Sequence, residues 1–210
     1  MSEVPNSPAP YSQETAPPEP PVAVPAPPSQ LHRDLRGWTR DLAVALGFAL
    51  VIIIFLYQPV KVEGTSMAPL LSDQERIFIN KFVYRFEPID RGDVVVFWYP
   101  LDRSKSFIKR VIALPGDTVE IRSGHLYLNG QEVREPYVPK SYLDENSYAP
   151  RRMEADEYFV MGDHRDSSND SRMFGPVSRD YIYGKAVFAY WPADHFGSLT
   201  SPSTVSAASK

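Results

Sequence analysis

Phe107-Ile108-Lys109-Arg110-Val111-Ile112-Ala113-Leu114 reads as a β-strand with two adjacent cations set into an apolar run. Successive side chains of a strand leave opposite faces, so Lys109 and Arg110 cannot share an environment. Both faces carry apolar neighbours, and alternation alone does not say which charge lies inside. The chemistry of the two groups differs. A lysine amine gives up its proton when burial disfavours the charge, whereas a guanidinium effectively cannot. By that reasoning Lys109 belongs in a candidate site and Arg110 in an ion pair or at the surface. The competing reading lets the Lys109 amine snorkel to solvent.

Around this strand the pattern stays β-rich. Residues 76–83, 93–99, 118–121 with 126–128, 158–161 and 185–191 are further candidate strands, separated by Gly, Pro and Asp. Arg122-Ser123-Gly124-His125 and Asn129-Gly130 mark a meander of hairpins. No long amphipathic helix intervenes. The expectation is a mainly β, antiparallel domain over residues 58–195, with a loop-rich stretch near 136–150. The low-complexity residues 196–210 are expected to form a disordered tail.

Upstream lies the run LAVALGFALVIIIFLY at residues 42–57, which carries no charge. Counted from Trp38 it is about 20 residues, roughly 30 Å as a helix, the thickness of a bilayer's hydrocarbon core. Trp38 and Tyr57 suit the two interfaces. A cleaved signal peptide is disfavoured by the length and by the missing small-x-small site. A buried helix of a soluble domain is disfavoured by the lack of a polar stripe. Arg33, Arg36 and Arg40 precede the segment and Lys61 follows it, so the positive-inside tendency keeps the N-terminus cytoplasmic. Residues 1–37 are expected to be a disordered cytoplasmic arm. About ten of the chain's 21 prolines fall in its first 30 residues.

Composition narrows the chemistry. A net charge of -4 over 210 residues leaves no basic footprint, so nucleic acid is a poor partner. Without cysteine there are no disulfides and no thiolate metal sites. Four histidines are present: His32 precedes the membrane segment, His125 falls in a hairpin turn, His195 sits near the tail, and His164 lies in a polar run.

Gly64-Thr65-Ser66-Met67-Ala68-Pro69 begins about seven residues after the apolar run ends. A plain turn accounts for its Gly and Pro. A nucleophilic Ser66 needs a base within hydrogen-bond reach and donors for the oxyanion. No histidine–carboxylate pairing stands out, and Lys109 is the better base. The third element is the dense polar run at residues 162–172. It does not have calcium-loop spacing, and its interleaved arginines would repel a cation. A buried network of Asp–Arg pairs fits it better than a solvated loop. Arg91-Gly92-Asp93 leads straight into a strand, where a turn explains it more cheaply than adhesion.

Taken together, GTSMAPLL (64–71), RGDVVVF (91–97), KRVIALPGD (109–117) and GDHRDSSNDSRMFGPV (162–177) resemble, in order, the sequence boxes of bacterial type I signal peptidases. The resemblance spans residues 57–192. It implies an antiparallel β-sheet catalytic domain behind one transmembrane helix (38–57), with Ser66 as nucleophile and Lys109 as general base. Ser168 would orient the lysine amine, and Asp170 and Arg172 would brace the site through a salt bridge. Val62, Met67, Phe107 and Ile108 would line shallow apolar subsites. No cofactor or metal is implied. The partners would be signal-peptide-bearing preproteins and a lipid bilayer, that of the cell membrane or of an internal energy-transducing membrane such as a thylakoid. Two positions depart from the family pattern. Gly64 stands where many members have a serine whose hydroxyl serves the oxyanion hole, and His164 where asparagine is common. The rival readings are a Ser–Lys protease of the self-cleaving repressor type and a non-catalytic bitopic adaptor with a β-rich binding domain.

Overall fold

Val94-Val95-Val96-Phe97 is apolar at every position because both of its faces are covered. Val94 and Val96 enter one core cluster, Val95 and Phe97 another. The computed structural model describes residues 30–199. The chain divides into two compact units, Met1–Leu46 and Gly47–Lys210. Helix α1 (Gln30–Leu56) begins in the first and ends in the second. Its residues Gly37–Ile54 are long and apolar enough to cross a membrane.

The expected disordered arm (1–37) and membrane segment (38–57) need correcting at their edges. The helix already runs at Gln30, since no proline follows Pro28 until Pro59. It stops at Leu56, close before Pro59, and Tyr57 opens a strand. Residues 1–29 of the arm and 200–210 of the tail lie outside the described residues.

The strands are β1 (Tyr57–Lys61), β2 (Arg76–Asn80), β3 (Val94–Tyr99), β4 (Asp102–Ala113), β5 (Thr118–Arg122), β6 (His125–Leu128), β7 (Gln131–Glu132), β8 (Tyr148–Arg152), β9 (Glu157–Met161), β10 (Val177–Ser178), β11 (Ile182–Trp191) and β12 (Gly197–Ser198). All pairings are antiparallel. The larger sheet runs β1-β2-β11-β3-β4-β9-β10, with β12 on β11, and the smaller runs β7-β6-β5-β8. Ile112, Phe159 and Met161 of the larger sheet share a core with Val119, Ile121 and Leu126 of the smaller.

Several elements differ from the sequence expectation for local reasons. The strand from residue 76 ends at Asn80, whose side-chain Oδ1 accepts the Phe82 and Val83 N–H groups and turns the chain. Strand β4 starts five residues earlier than its apolar run: Asp102 pairs with Tyr99 and Ser106 with Trp98, and the exposed polar residues between them form a register irregularity. Within the stretch read as loop, β8 includes Pro150, which an edge strand tolerates. The tail expected from residue 196 is ordered at its start: β12 pairs with β11 and Leu199 is buried in the core.

Register resolves the two cations. Lys109 pairs with Val95 and Arg110 with Val94, so they leave opposite faces, yet only 4% of Lys109 and 1% of Arg110 remain exposed. Arg110 is a bidentate partner of Asp163, Nε to Oδ1 at 2.8 Å and Nη2 to Oδ2 at 2.5 Å. Its Nη1 donates to the Gly92 carbonyl, and its guanidinium lies 4.2 Å from the centre of the Tyr137 ring. Asp163→Ala strands this buried charge and should lower unfolding stability by about 3–5 kcal/mol. Urea unfolding of the detergent-solubilised chain should show that loss, and Asp163→Ala/Arg110→Met should lose less.

Candidate active site

Ser66 stands in a turn that leaves β1 and returns toward β2. Gly64 opens it with φ of +91°, in the left-handed region that favours glycine, and donates its N–H to Asp73 Oδ1 at 2.7 Å. The Ala68 N–H returns to the Thr65 carbonyl at 3.0 Å. Met67 and Leu71 point into the core with Ile77, Ile79 and Leu199, which anchors the turn from beneath.

The Lys109 amine reaches this turn from β4. Its Nζ lies 2.6 Å from Ser66 Oγ and 3.1 Å from the Ile108 carbonyl. Burial is the main influence on the amine and pushes its pKa down to about 8. The Asp170 and Asp163 carboxylates oppose this fall, and Arg172 adds to it.

The polar run at 162–172 forms the third wall. Gly162 allows a close approach that no side chain would permit, since a Cβ there would lie 2.3 Å from Ser168 Oγ and 2.4 Å from the Ser66 carbonyl oxygen. The His164 N–H donates to that same carbonyl at 3.1 Å. Asp170 is fully buried; it caps the short helix Ser171–Phe174, accepts the Gly162 N–H and binds Arg172 through both carboxylate oxygens at 2.8 Å. Arg172 also holds the Asp144 carboxylate and the Arg165 carbonyl, and Arg165 pairs with Glu135 at 2.5 Å. The ion pairs of the run are therefore largely buried, while Asp166, Ser167 and Asn169 stay exposed.

A cleft of about 770 Å³ opens beside Ser66 and Lys109, with Val60, Val62, Val96, Phe107, Ile108 and Tyr183 among its walls. A buried, partly neutral amine on a serine hydroxyl beside such a cleft suits transfer of an acyl group from a bound chain to that hydroxyl.

Residues 35–191 match the family described as signal peptidase, peptidase S26. The chain belongs to that family. It is 41% identical over 166 residues to signal peptidase I P of Bacillus subtilis subsp. natto, covering 74% of this chain and 88% of the relative. Against signal peptidase I of Leptolyngbya laminosa the identity is 36% over 212 aligned positions, covering 96% and 98%. A solved signal peptidase I from Enterococcus faecalis is 33% identical with a TM-score of 0.41, covering 47% of this chain and 97% of that one.

Of the residues read as functional from the sequence, Ser66 and Lys109 meet, and Asp170 and Arg172 form an ion pair. Val62, Phe107 and Ile108 line the cleft. Met67 does not, being 1% exposed and part of the core below the turn. Ser168 does not hold the lysine amine: its buried Oγ has no hydrogen-bond partner among the described residues, and Nζ uses Ser66 and Ile108 instead. Asp163, Glu135 and Asp144 complete the network. Asp163 lay in the quoted run, but Glu135 and Asp144 sit in a stretch whose composition says only loop. Arg91 and Asp93 of the adhesion-like triplet are engaged internally, with Asp117 and with Lys185 and Tyr84.

A base of this kind would give activity a pH dependence of defined sign. The neutral amine is the form able to accept a proton, and its fraction grows with pH through about 8. A pH profile of kcat/KM for preprotein cleavage should rise to a plateau with a midpoint near 8. A rise confined to pH above about 10 would mean a solvated amine.

Proposed function

We propose that Ser66 and Lys109 are the catalytic pair with which this signal peptidase cleaves signal peptides from preproteins. The family establishes a serine endopeptidase with a membrane-anchoring N-terminal helix. The observation that carries the residue assignment is the 2.6 Å approach of the buried Lys109 Nζ to Ser66 Oγ. In its neutral form the amine has a lone pair free to accept the Ser66 proton. Ser66 Oγ then attacks the scissile carbonyl carbon, and the ammonium returns its proton to the leaving amine. The resulting ester is hydrolysed when Lys109 takes a proton from water. Val62, Phe107 and Ile108 supply apolar surface for small side chains flanking the scissile bond. Asp170 and Arg172 fix the wall behind the amine.

An N-terminal anchor supports the reading that this chemistry works near the bilayer, where a signal peptide emerges. Arg33, Arg36 and Arg40, which precede the uncharged run at 42–57, support a cytoplasmic N-terminus, with residues 58 onward on the extracytoplasmic face of the cell membrane or of an internal membrane such as a thylakoid. The lipid surface would also help to keep water from the amine. A non-catalytic adaptor leaves a dry lysine on a serine without a purpose.

Ser66→Ala and Lys109→Met should each lower preprotein cleavage by the detergent-solubilised chain by about 10⁴-fold or more, with unchanged melting. Turnover retained by Ser66→Ala would remove the assignment.

A further inference from the structure

The reading of Ser66 as an acyl-transfer nucleophile leaves one need unmet. An oxyanion forms at the substrate carbonyl and requires donors. Gly64 has no side chain, and its φ of +91° strains any residue that would bring one. The Ser66 N–H has no acceptor among the described residues, so it is the donor nearest to hand. A backbone donor works only if its peptide plane is held still.

The Thr65–Ser66 bond is trans, so its carbonyl and its N–H point in opposite directions within one plane. Fixing the Thr65 oxygen therefore fixes the direction of the Ser66 N–H. His164 is placed to do so. Its Nδ1 lies 3.3 Å from the Thr65 carbonyl oxygen, while its backbone N–H holds the next carbonyl, that of Ser66. The ring is itself held: Nε2 is 2.9 Å from Asp166 Oδ1, and the face stacks on Tyr142 with centroids 3.8 Å apart. In the tautomer that carries its N–H on Nδ1, the ring donates to the Thr65 oxygen. The Ala68 N–H shares the Thr65 oxygen, which has two lone pairs, so loss of His164 would loosen the plane without releasing the turn.

We infer that His164 is a positioning residue that, clamped between Tyr142 and Asp166, holds the Thr65–Ser66 peptide so that the Ser66 N–H faces the oxyanion. The inference rests on the acyl-transfer reading and assigns the histidine to the transition state instead of to substrate binding.

His164→Phe keeps a ring for Tyr142 but cannot donate, whereas His164→Asn restores an N–H near the place of Nδ1. In preprotein cleavage by the solubilised full chain, His164→Phe should lower kcat by about 10- to 100-fold, below the loss of an entire oxyanion donor at its upper end, with KM within about twofold. His164→Asn should recover kcat to within about threefold of the parent. A substrate-derived peptide aldehyde, which forms the tetrahedral adduct, should bind His164→Phe less tightly by the same factor, while a non-cleavable peptide of that sequence binds unchanged. If the phenylalanine variant does not fold, His164→Leu takes its place. Parental kcat in the non-donating variant, a loss in KM alone, or no recovery with asparagine overturns the role. Ser66→Ala run alongside separates the two failures: cleavage by it removes the acyl-transfer reading, whereas an inactive Ser66→Ala beside a fully active His164→Phe removes only the role of His164.

Discussion

Everything in the catalytic unit is arranged around the burial of two neighbouring cations on one strand. The same displacement from water has opposite outcomes for them. Arg110 keeps its charge because Asp163 meets it through two parallel hydrogen bonds and the Gly92 carbonyl takes a third. Among the described residues the Lys109 amine has no carboxylate partner; it meets a hydroxyl and a carbonyl, which compensate a charge poorly. It responds by giving up its proton more readily. At pH 7 a group with a pKa of about 8 is neutral in about one molecule of ten, against fewer than one in a thousand for a lysine in water. The readily deprotonated amine is thus created by withholding a counter-ion that its neighbour receives.

That arrangement needs nearby carboxylates to be occupied elsewhere. Asp170 and Asp163 both draw the lysine toward its charged form, and each is tied to an arginine. Arg172 sits between Asp170 and Asp144, so its positive charge partly screens the field of Asp170 at the amine. The ion pairs of the polar run therefore have an electrostatic consequence as well as a structural one: they supply rigidity while limiting how far the buried acids restore the lysine's proton.

Much of this was legible in the sequence because it rests on periodicity and on chemistry local to a few residues. The strands showed wherever a sheet face was apolar, and Lys109 showed because a charge broke such a run. What stayed hidden depended on long-range partners. Strand β8 lies at a sheet edge and the first half of β4 is polar and exposed, so no apolar alternation marks them. Met67 lies beside the nucleophile in sequence but faces the core, since neighbouring residues of a turn point in different directions. Ser168 sits close to the site without touching the amine, a matter of a hydroxyl's direction that no spacing encodes. Leu199 lies in a segment whose composition reads as tail, and its burial follows from the pairing of β12 with β11.

These hidden contacts are the ones that hold the Ser66 turn in place. Met67, Leu71 and Leu199 support it from the core, and Gly162 and His164 clasp its carbonyls from the side. A serine hydroxyl and a neutral amine are weak reagents separately, and their rate depends on being held at hydrogen-bond distance before substrate arrives. Support from two independent directions restricts the turn more than either could alone, because a shift away from the clasp would open a void in the core. The glycine at 162 is where the two supports meet: a Cβ there would push Ser66 off its carbonyl anchor and Ser168 off the wall at once. The geometry around Ser66 is thus a packing result, reached by removing side-chain volume at one position so that two loops can touch.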